Sequence, residues 1–288
     1  MQIITGIPEM KQRSGEVRAA GKSIGLVPTM GRLHAGHMSL VQKSLSTCDF
    51  TVVSIFINPL QFGPHEDLDT YPVDLAGDQG QLRSSGVDVL FLPGRETLYP
   101  PGYQTYVEVE EITRHLCGRS RPGFFKGVAT VVLKLFNIVR PHTAFFGEKD
   151  WQQLAVVETL VRDLNLDVRI GRLPLVREED GLALSSRNLY LSKKERPSAL
   201  ILSRALRTAK QRVREGENSA RKIREEIREM IENHNGADVD YISVCDPESF
   251  VEQDEIQEKS LIALAVRIGK TRLIDNCIVR RPECSESC

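Results

Sequence analysis

No apolar run in this 288-residue sequence approaches the roughly 20 residues that a membrane-spanning helix needs. The first residues, Met1 to Pro8, lack the basic-then-apolar pattern of a secretory signal, so a cytoplasmic location is expected. A formal net charge of -1 supplies no global basic field, which argues against nucleic-acid and anionic-membrane partners. The six cysteines, Cys48, Cys117, Cys245, Cys277, Cys284 and Cys288, form no C-x-x-C pair. Neither a zinc knuckle nor a thioredoxin-like redox site is indicated, and in reducing surroundings these residues read as buried apolar groups or idle thiols. The commonest nucleotide signatures are absent too. No G-x-G-x-x-G follows a strand, and five residues separate Gly15 from Gly21 where a P-loop needs four. Gly269, Lys270 and Thr271 lack the upstream glycine that the same loop requires.

What is present is alternation. Strand-like apolar runs fall at residues 24–27, 50–57, 87–92, 143–146 and 168–175, with amphipathic stretches between them, including 127–139 and 151–164. This pattern predicts an α/β fold, a Rossmann-like doubly wound parallel sheet with helices on both faces. After about residue 182 the texture changes. Residues 195–235 are rich in Arg, Glu, Lys and Ala and read as two helices broken near Gly216, followed by strand-like runs at 239–244, 261–266 and 271–279. The expectation is therefore two domains: a sheet domain over 1–182, and a smaller α+β domain over 183–288.

Four loops carry chemistry. After the run ending at Val27 comes Pro28, Thr29, Met30, Gly31, Arg32, Leu33, His34, Ala35, Gly36 and His37, and then Met38, Val41 and Leu45 at helical spacing. Two histidines thus stand at a helix N-terminus, where outward amide donors and the dipole favour an anion. Imidazoles there can donate to phosphate oxygens as charge develops. A second apolar run closes in Asn58, Pro59 and Gln61, whose neutral amides suit a ligand bearing hydroxyl and carboxylate groups. A third runs through Gly147 into Glu148, Lys149 and Asp150, with Gln153 one turn on; Lys149 is a point charge for phosphate. The fourth, Leu184, Ser185, Ser186 and Arg187, offers several phosphate donors on one loop at the change of composition, where it could close over a ligand.

Taken in order, P-T-M-G-x-L-H-x-G-H, F-x-N-P-x-Q-F, E-D-L-x-x-Y-P, F-G-E-K-D-x-Q-Q-L and D-G-L-A-L-S-S-R-N resemble the pantothenate synthetase (pantoate–β-alanine ligase) family, within the nucleotidylyltransferase superfamily. The resemblance runs from about Lys22 to Leu191. It implies ATP-dependent condensation of pantoate with β-alanine through a pantoyl adenylate, giving pantothenate, AMP and pyrophosphate. By matching position, Pro28 to His37, Gly147 to Asp150, Val176 and Leu184 to Arg187 would hold ATP. His34 and His37 would stabilise the pentacovalent phosphorus, with His37 the proton donor, and Lys149, Ser185, Ser186 and Arg187 would share the catalytic work. Asn58, Gln61 and Gln153 would bind pantoate, with Gln61 also near β-alanine. Magnesium is implied with the triphosphate, with Asp78 as candidate ligand, and so are a homodimer and a C-terminal lid. One departure stands out: the family usually reads R-P-G-H-F-x-G-V, whereas Phe124 replaces that histidine after Arg121 here.

Residue chemistry points the same way. The loops supply cationic and hydrogen-bonding groups suited to phosphorus and no nucleophile–base pair. Two other readings remain open at this stage: a nucleotidylyltransferase for a phosphorylated acceptor, and a non-catalytic ATP-binding regulator.

Overall fold

The computed structural model describes residues 1–64, 66–234 and 236–281; Cys284 and Cys288 lie outside them. It divides into two compact units. Met1–Glu110 with Arg121–Leu175 form the first, and Glu111–Ser120 with the chain from Val176 onward form the second. The second unit thus begins seven residues earlier than the change of composition suggests, and it takes back a ten-residue excursion from within the first.

In the first unit the elements run β1 (Gln2–Ile4), α1 (Ile7–Ala19), β2 (Ile24–Thr29), α2 (Ala35–Thr47), β3 (Phe50–Ile55), α3 (Leu75–Ser85), β4 (Val89–Phe91) and α4 (Arg95–Leu98). After the excursion, which contains α5 (Leu116–Ser120), come α6 (Phe124–Val139), β5 (Thr143–Gly147), α7 (Trp151–Asp163) and β6 (Arg169–Leu173). The six strands form one sheet in the order β1-β4-β3-β2-β5-β6, and every pairing is parallel. A parallel sheet covered on both faces needs strands that are apolar throughout, and β3 is buried at all six positions. The doubly wound sheet expected from the alternation is the one observed.

The alternation begins earlier than periodicity indicates. β1 is only three residues long with Ile3 exposed, too short for a pattern to register. α3 is similarly faint in sequence, because its buried positions are Leu82 and a carboxylate, Asp78.

In the second unit, α8 (Arg196–Ala199), α9 (Ile201–Arg214) and α10 (Ala220–Glu232) precede β7 (Ala237–Cys245), β8 (Ser260–Ile268) and β9 (Thr271–Val279). The three strands form an antiparallel sheet with β8 central. Ile223, Ile227 and Ile231 recur every four residues along α10 and are buried, the stripe by which an otherwise charged helix is held. Residues 111–120 belong here for a local reason: Ser120 Oγ donates to Asp240 on β7 at 2.8 Å, and Cys117 lies beside the buried Tyr241. Burial pushes the thiols of Cys245 and Cys277 up to about 12, so both are inert, as idle thiols should be. No described helix is long and apolar enough to cross a membrane.

Since Ile227 is 1% exposed at the centre of that stripe, Ile227→Ala is expected to cost about 2–5 kcal/mol. Urea unfolding followed by circular dichroism checks this; a midpoint equal to that of the parent chain would contradict the packing described.

Candidate active site

Two strands part at the middle of the sheet. β2 pairs with β3 at six positions, from Ile24 opposite Phe50 to Thr29 opposite Ile55, but with β5 at two, Gly25 opposite Thr143 and Leu26 opposite Ala144. The strand order also reverses between them, since β2, β3 and β4 step one way and β5 and β6 the other. Ligands in open α/β sheets lie beyond the carboxyl ends of strands at such a point. Pro28, which has no N–H for a ladder, sits past the last β2–β5 pair.

The loop after β2 is shaped from below. Gly31 has φ +89°, and a Cβ there would meet Ile55 Cγ2 at 3.1 Å and Asp78 Oδ2 at 3.3 Å. Asp78 is 2% exposed; its Oδ2 accepts from Arg32 N at 2.8 Å and its Oδ1 from Leu33 N at 2.7 Å. Burial raises its pKa, and these two hydrogen bonds oppose the rise. Asp78, expected from the family resemblance as a candidate metal ligand, here holds the turn, with each of its oxygens serving the backbone. The Arg32 side chain pairs with Asp74, which also caps α3 by accepting from Gly77 N. The Thr29 hydroxyl donates to Ser54 O and accepts from Gly31 N, a second brace on the turn.

His34 is the extended N-cap residue of α2, with φ -136°, so Ala35, Gly36 and His37 form its first turn. No side chain caps this terminus and no acidic residue stands in the turn, which leaves the dipole's positive end for an external anion. The imidazoles of His34 and His37 stack with centroids 4.0 Å apart at 29°. Burial, then the positive fields of His34 and Lys149, bring His37 down to about 3. It is neutral at physiological pH, and its buried Nδ1 has no hydrogen-bond partner among the described residues.

Across the opening, β5 ends at Gly147 and a single 3₁₀ turn, Glu148–Asp150, leads into α7. Lys149 Nζ lies 3.5 Å from Asp150 Oδ2. Gln153 is half-buried in the first turn of α7. Beyond β3, Asn58 is buried and its amide is engaged at both its oxygen and its nitrogen. Its Oδ1 accepts from Leu60 N at 3.3 Å, and its Nδ2 donates to Gln61 Oε1 and to Gly127 O, both at 3.0 Å. Asn58 thus supports Gln61 through its side-chain amide. The approach is close: a Cβ on Gly127 would lie 2.4 Å from Leu60 O.

On the second unit, a short hairpin sets Leu184 N against Val176 O at 3.0 Å, and Glu178 N against Leu182 O at 2.8 Å. Ser185 then caps the 3₁₀ turn Ser186–Tyr190 by accepting from Arg187 N. Asn188 fastens the loop by donating to Glu178 and to Ala183 O, and Arg196 bridges Glu178 and Asp180.

A model of the family described as pantoate-beta-alanine ligase matches residues 2–278. The chain belongs to the pantoate-beta-alanine ligase family. It is 53% identical to the pantothenate synthetase of Acetivibrio thermocellus over 279 residues, covering 97% of this chain and 99% of that protein. A crystal structure of pantothenate synthetase from Thermus thermophilus matches with TM-score 0.90 and 42% identity, over 96% of this chain and 99% of that one. A pantoate-beta-alanine ligase from Francisella tularensis, complexed with beta-gamma ATP and beta-alanine, matches with TM-score 0.81 and 36% identity, over 96% and 97%.

In this ligase, among the described residues, no group of three His, Cys, Asp or Glu side chains could hold a metal ion. Sequence reasoning missed Glu66 as a structural partner of Arg121, although Glu66 opens the E-D-L motif; the pair spans 55 residues and has no local signature.

Two outcomes follow from this geometry. Asp78→Asn replaces one acceptor by an amide donor facing a backbone N–H, and is expected to cost about 1–3 kcal/mol and to weaken ATP binding without altering the magnesium dependence. Urea melts and magnesium titrations test it. As for pH, the unfolded chain takes up a proton on His37 below about 6.5 that the folded chain refuses down to about 3, so stability falls with pH across that window. His37→Gln should reduce the drop in urea midpoint between about pH 7 and pH 5.

Proposed function

We propose that this ligase condenses pantoate with β-alanine at the expense of ATP, releasing AMP and pyrophosphate by way of an enzyme-bound pantoyl adenylate. In the first step a pantoate carboxylate oxygen attacks the α-phosphorus, and the bond from that phosphorus to the bridging oxygen of the β-phosphate breaks. In the second, the neutral amine of β-alanine attacks the acyl carbon. The acyl–oxygen bond to AMP breaks, and the amine proton leaves.

The observation that carries this reading is the stacked imidazole pair on an uncapped helix N-terminus, with the charge of Lys149 close enough to bear on His37. Charge on the phosphorus oxygens grows in the first step, and such donors act where it grows. His34, His37 and Lys149 are assigned that stabilisation, and the turn from Pro28 to Leu33 with Ala35 and Gly36 supplies the backbone that cradles the triphosphate. Gly147, Glu148 and Asp150 are assigned to ATP as well. The family resemblance further assigns Val176, Leu184, Ser185, Ser186 and Arg187 to ATP, with the two serines and the arginine as phosphate donors. Gln61 and Gln153 are assigned to pantoate, with Asn58 behind Gln61. Magnesium enters on the triphosphate as part of the substrate. A cytoplasmic location and homodimeric assembly belong to the same proposal.

Pyrophosphate release from ATP and pantoate, and AMP release with and without β-alanine, test the reaction. His37→Ala and Lys149→Ala are each expected to slow adenylate formation ~10²–10³-fold with unchanged circular dichroism. Near-normal pyrophosphate release by both variants would sink the assignment of these groups.

A further inference from the structure

Phe124 stands where the family pattern has histidine, and the structure shows what surrounds it. The Arg121 guanidinium carbon lies 4.0 Å from the centroid of the Phe124 ring, in cation–π geometry. The same guanidinium grips Glu66 with two bonds, Nε to Oε1 at 2.6 Å and Nη2 to Oε2 at 2.5 Å. Nη2 also donates to the backbone carbonyl of Gln61 at 2.8 Å, and Glu66 closes the turn by accepting from Gly63 N at 3.1 Å. The Arg121 side chain is 12% exposed, so this fork is shielded from competing water.

Gln61 is consequently held at two points. Arg121 takes its main-chain carbonyl and Asn58 takes its side-chain carbonyl. The orientation of the second bond is forced, because Asn58 Oδ1 must accept from Leu60 N and Asn58 Nδ2 must donate to Gly127 O. Gln61 Oε1 is therefore the acceptor, and its amide nitrogen makes no hydrogen bond to any described residue. What remains of Gln61 is a pair of N–H donors.

We propose that Arg121, steadied by Glu66 and by the ring of Phe124, is a positioning residue that fixes Gln61 so that only N–H donors face the ligand, selecting a carboxylate- or hydroxyl-bearing acid. The proposal rests on the assignment of Gln61 to pantoate. Arg121 acts through Gln61 and touches no substrate. Phe124 keeps the guanidinium in its plane by stacking, a role that any aromatic ring at this position can fill.

The test is steady-state kinetics with pantoate and ATP on Gln61→Ala, Arg121→Lys and the double variant, with thermal melts of each. Lysine keeps the charge and loses the fork. Gln61→Ala and Arg121→Lys are each expected to raise KM for pantoate about tenfold, the scale of one lost hydrogen bond to a charged ligand group, with KM for ATP within about twofold. Because one residue acts through the other, the double variant should be no worse than Gln61→Ala alone. An unchanged pantoate KM in Arg121→Lys, or a full additional effect in the double variant, overturns the positioning role. An unchanged pantoate KM in Gln61→Ala instead removes the assignment of Gln61 itself, and that is read without Arg121. Should Arg121→Lys fail to fold, Phe124→Leu takes its place. It should raise pantoate KM a few-fold with Phe124→Tyr restoring it, since a cation–π contact contributes roughly a several-fold effect; equal KM values for Phe124→Leu and the parent chain would overturn the proposal.

Discussion

The loop that carries both histidines depends on one buried carboxylate. Asp78 reaches up from α3 and accepts from two consecutive backbone amides, Arg32 N and Leu33 N, while Arg32 itself has φ +51°. A non-glycine residue in the left-handed region and a glycine at φ +89° beside it are costly conformations, and they persist only where the surroundings fix them. A carboxylate with both oxygens engaged does that. The chain then leaves β2 along a path that delivers His34 to the N-cap and His37 into the first turn of α2. Removing a hydrogen-bond acceptor below the loop loosens the histidines above it, although the two are unlike in chemistry and distant in sequence.

The electrostatics of the opening follow from that geometry. Two imidazoles in stacking contact with a lysine charge in range cannot all be protonated in a half-desolvated site, so His37 stays neutral. A site that is to receive a triphosphate benefits from this. A neutral imidazole at His37 still donates a hydrogen bond, and it does not repel Lys149. A bound polyanion would raise the histidine pKa values by the same Coulomb effect with its sign reversed. The proton-donor role implied for His37 by the family resemblance is thus compatible with a neutral resting state, because the substrate's own charge favours protonation.

Much of this was legible in the sequence where the signal is local. The apolar run before Pro28 and the helical spacing of Met38, Val41 and Leu45 fix a strand and a helix, so the histidines must stand at the helix start. Ile223, Ile227 and Ile231 announce α10 in the same way. What periodicity could not supply is contact between segments far apart. Asp78 meets Arg32 and Leu33 across 46 and 45 residues, and a lone acidic residue on a weakly patterned helix resembles a metal ligand as much as a strut. The grip of Arg121 on Glu66 spans 55 residues, and the membership of residues 111–120 in the second unit rests on Ser120 meeting Asp240 across 120. Asn58 shows a subtler limit. Its residue type suits a ligand, and only its hydrogen bonds reveal that it also holds Gln61.

Neutral donors at Gln61 also suit the proposed first step for a reason beyond recognition. A carboxylate that must attack phosphorus needs its lone pairs available, and a tight ion pair with arginine or lysine would stabilise the ground state as strongly as the transition state. Amide N–H groups orient the acid with less loss of nucleophilicity, while the cationic groups act at phosphorus, where charge is growing. Arg121 illustrates the division: its charge is neutralised by Glu66 and covered by Phe124. What reaches Gln61 from this arginine is a hydrogen bond to the backbone. The guanidinium contributes geometry to the acid site without placing an exposed positive charge there.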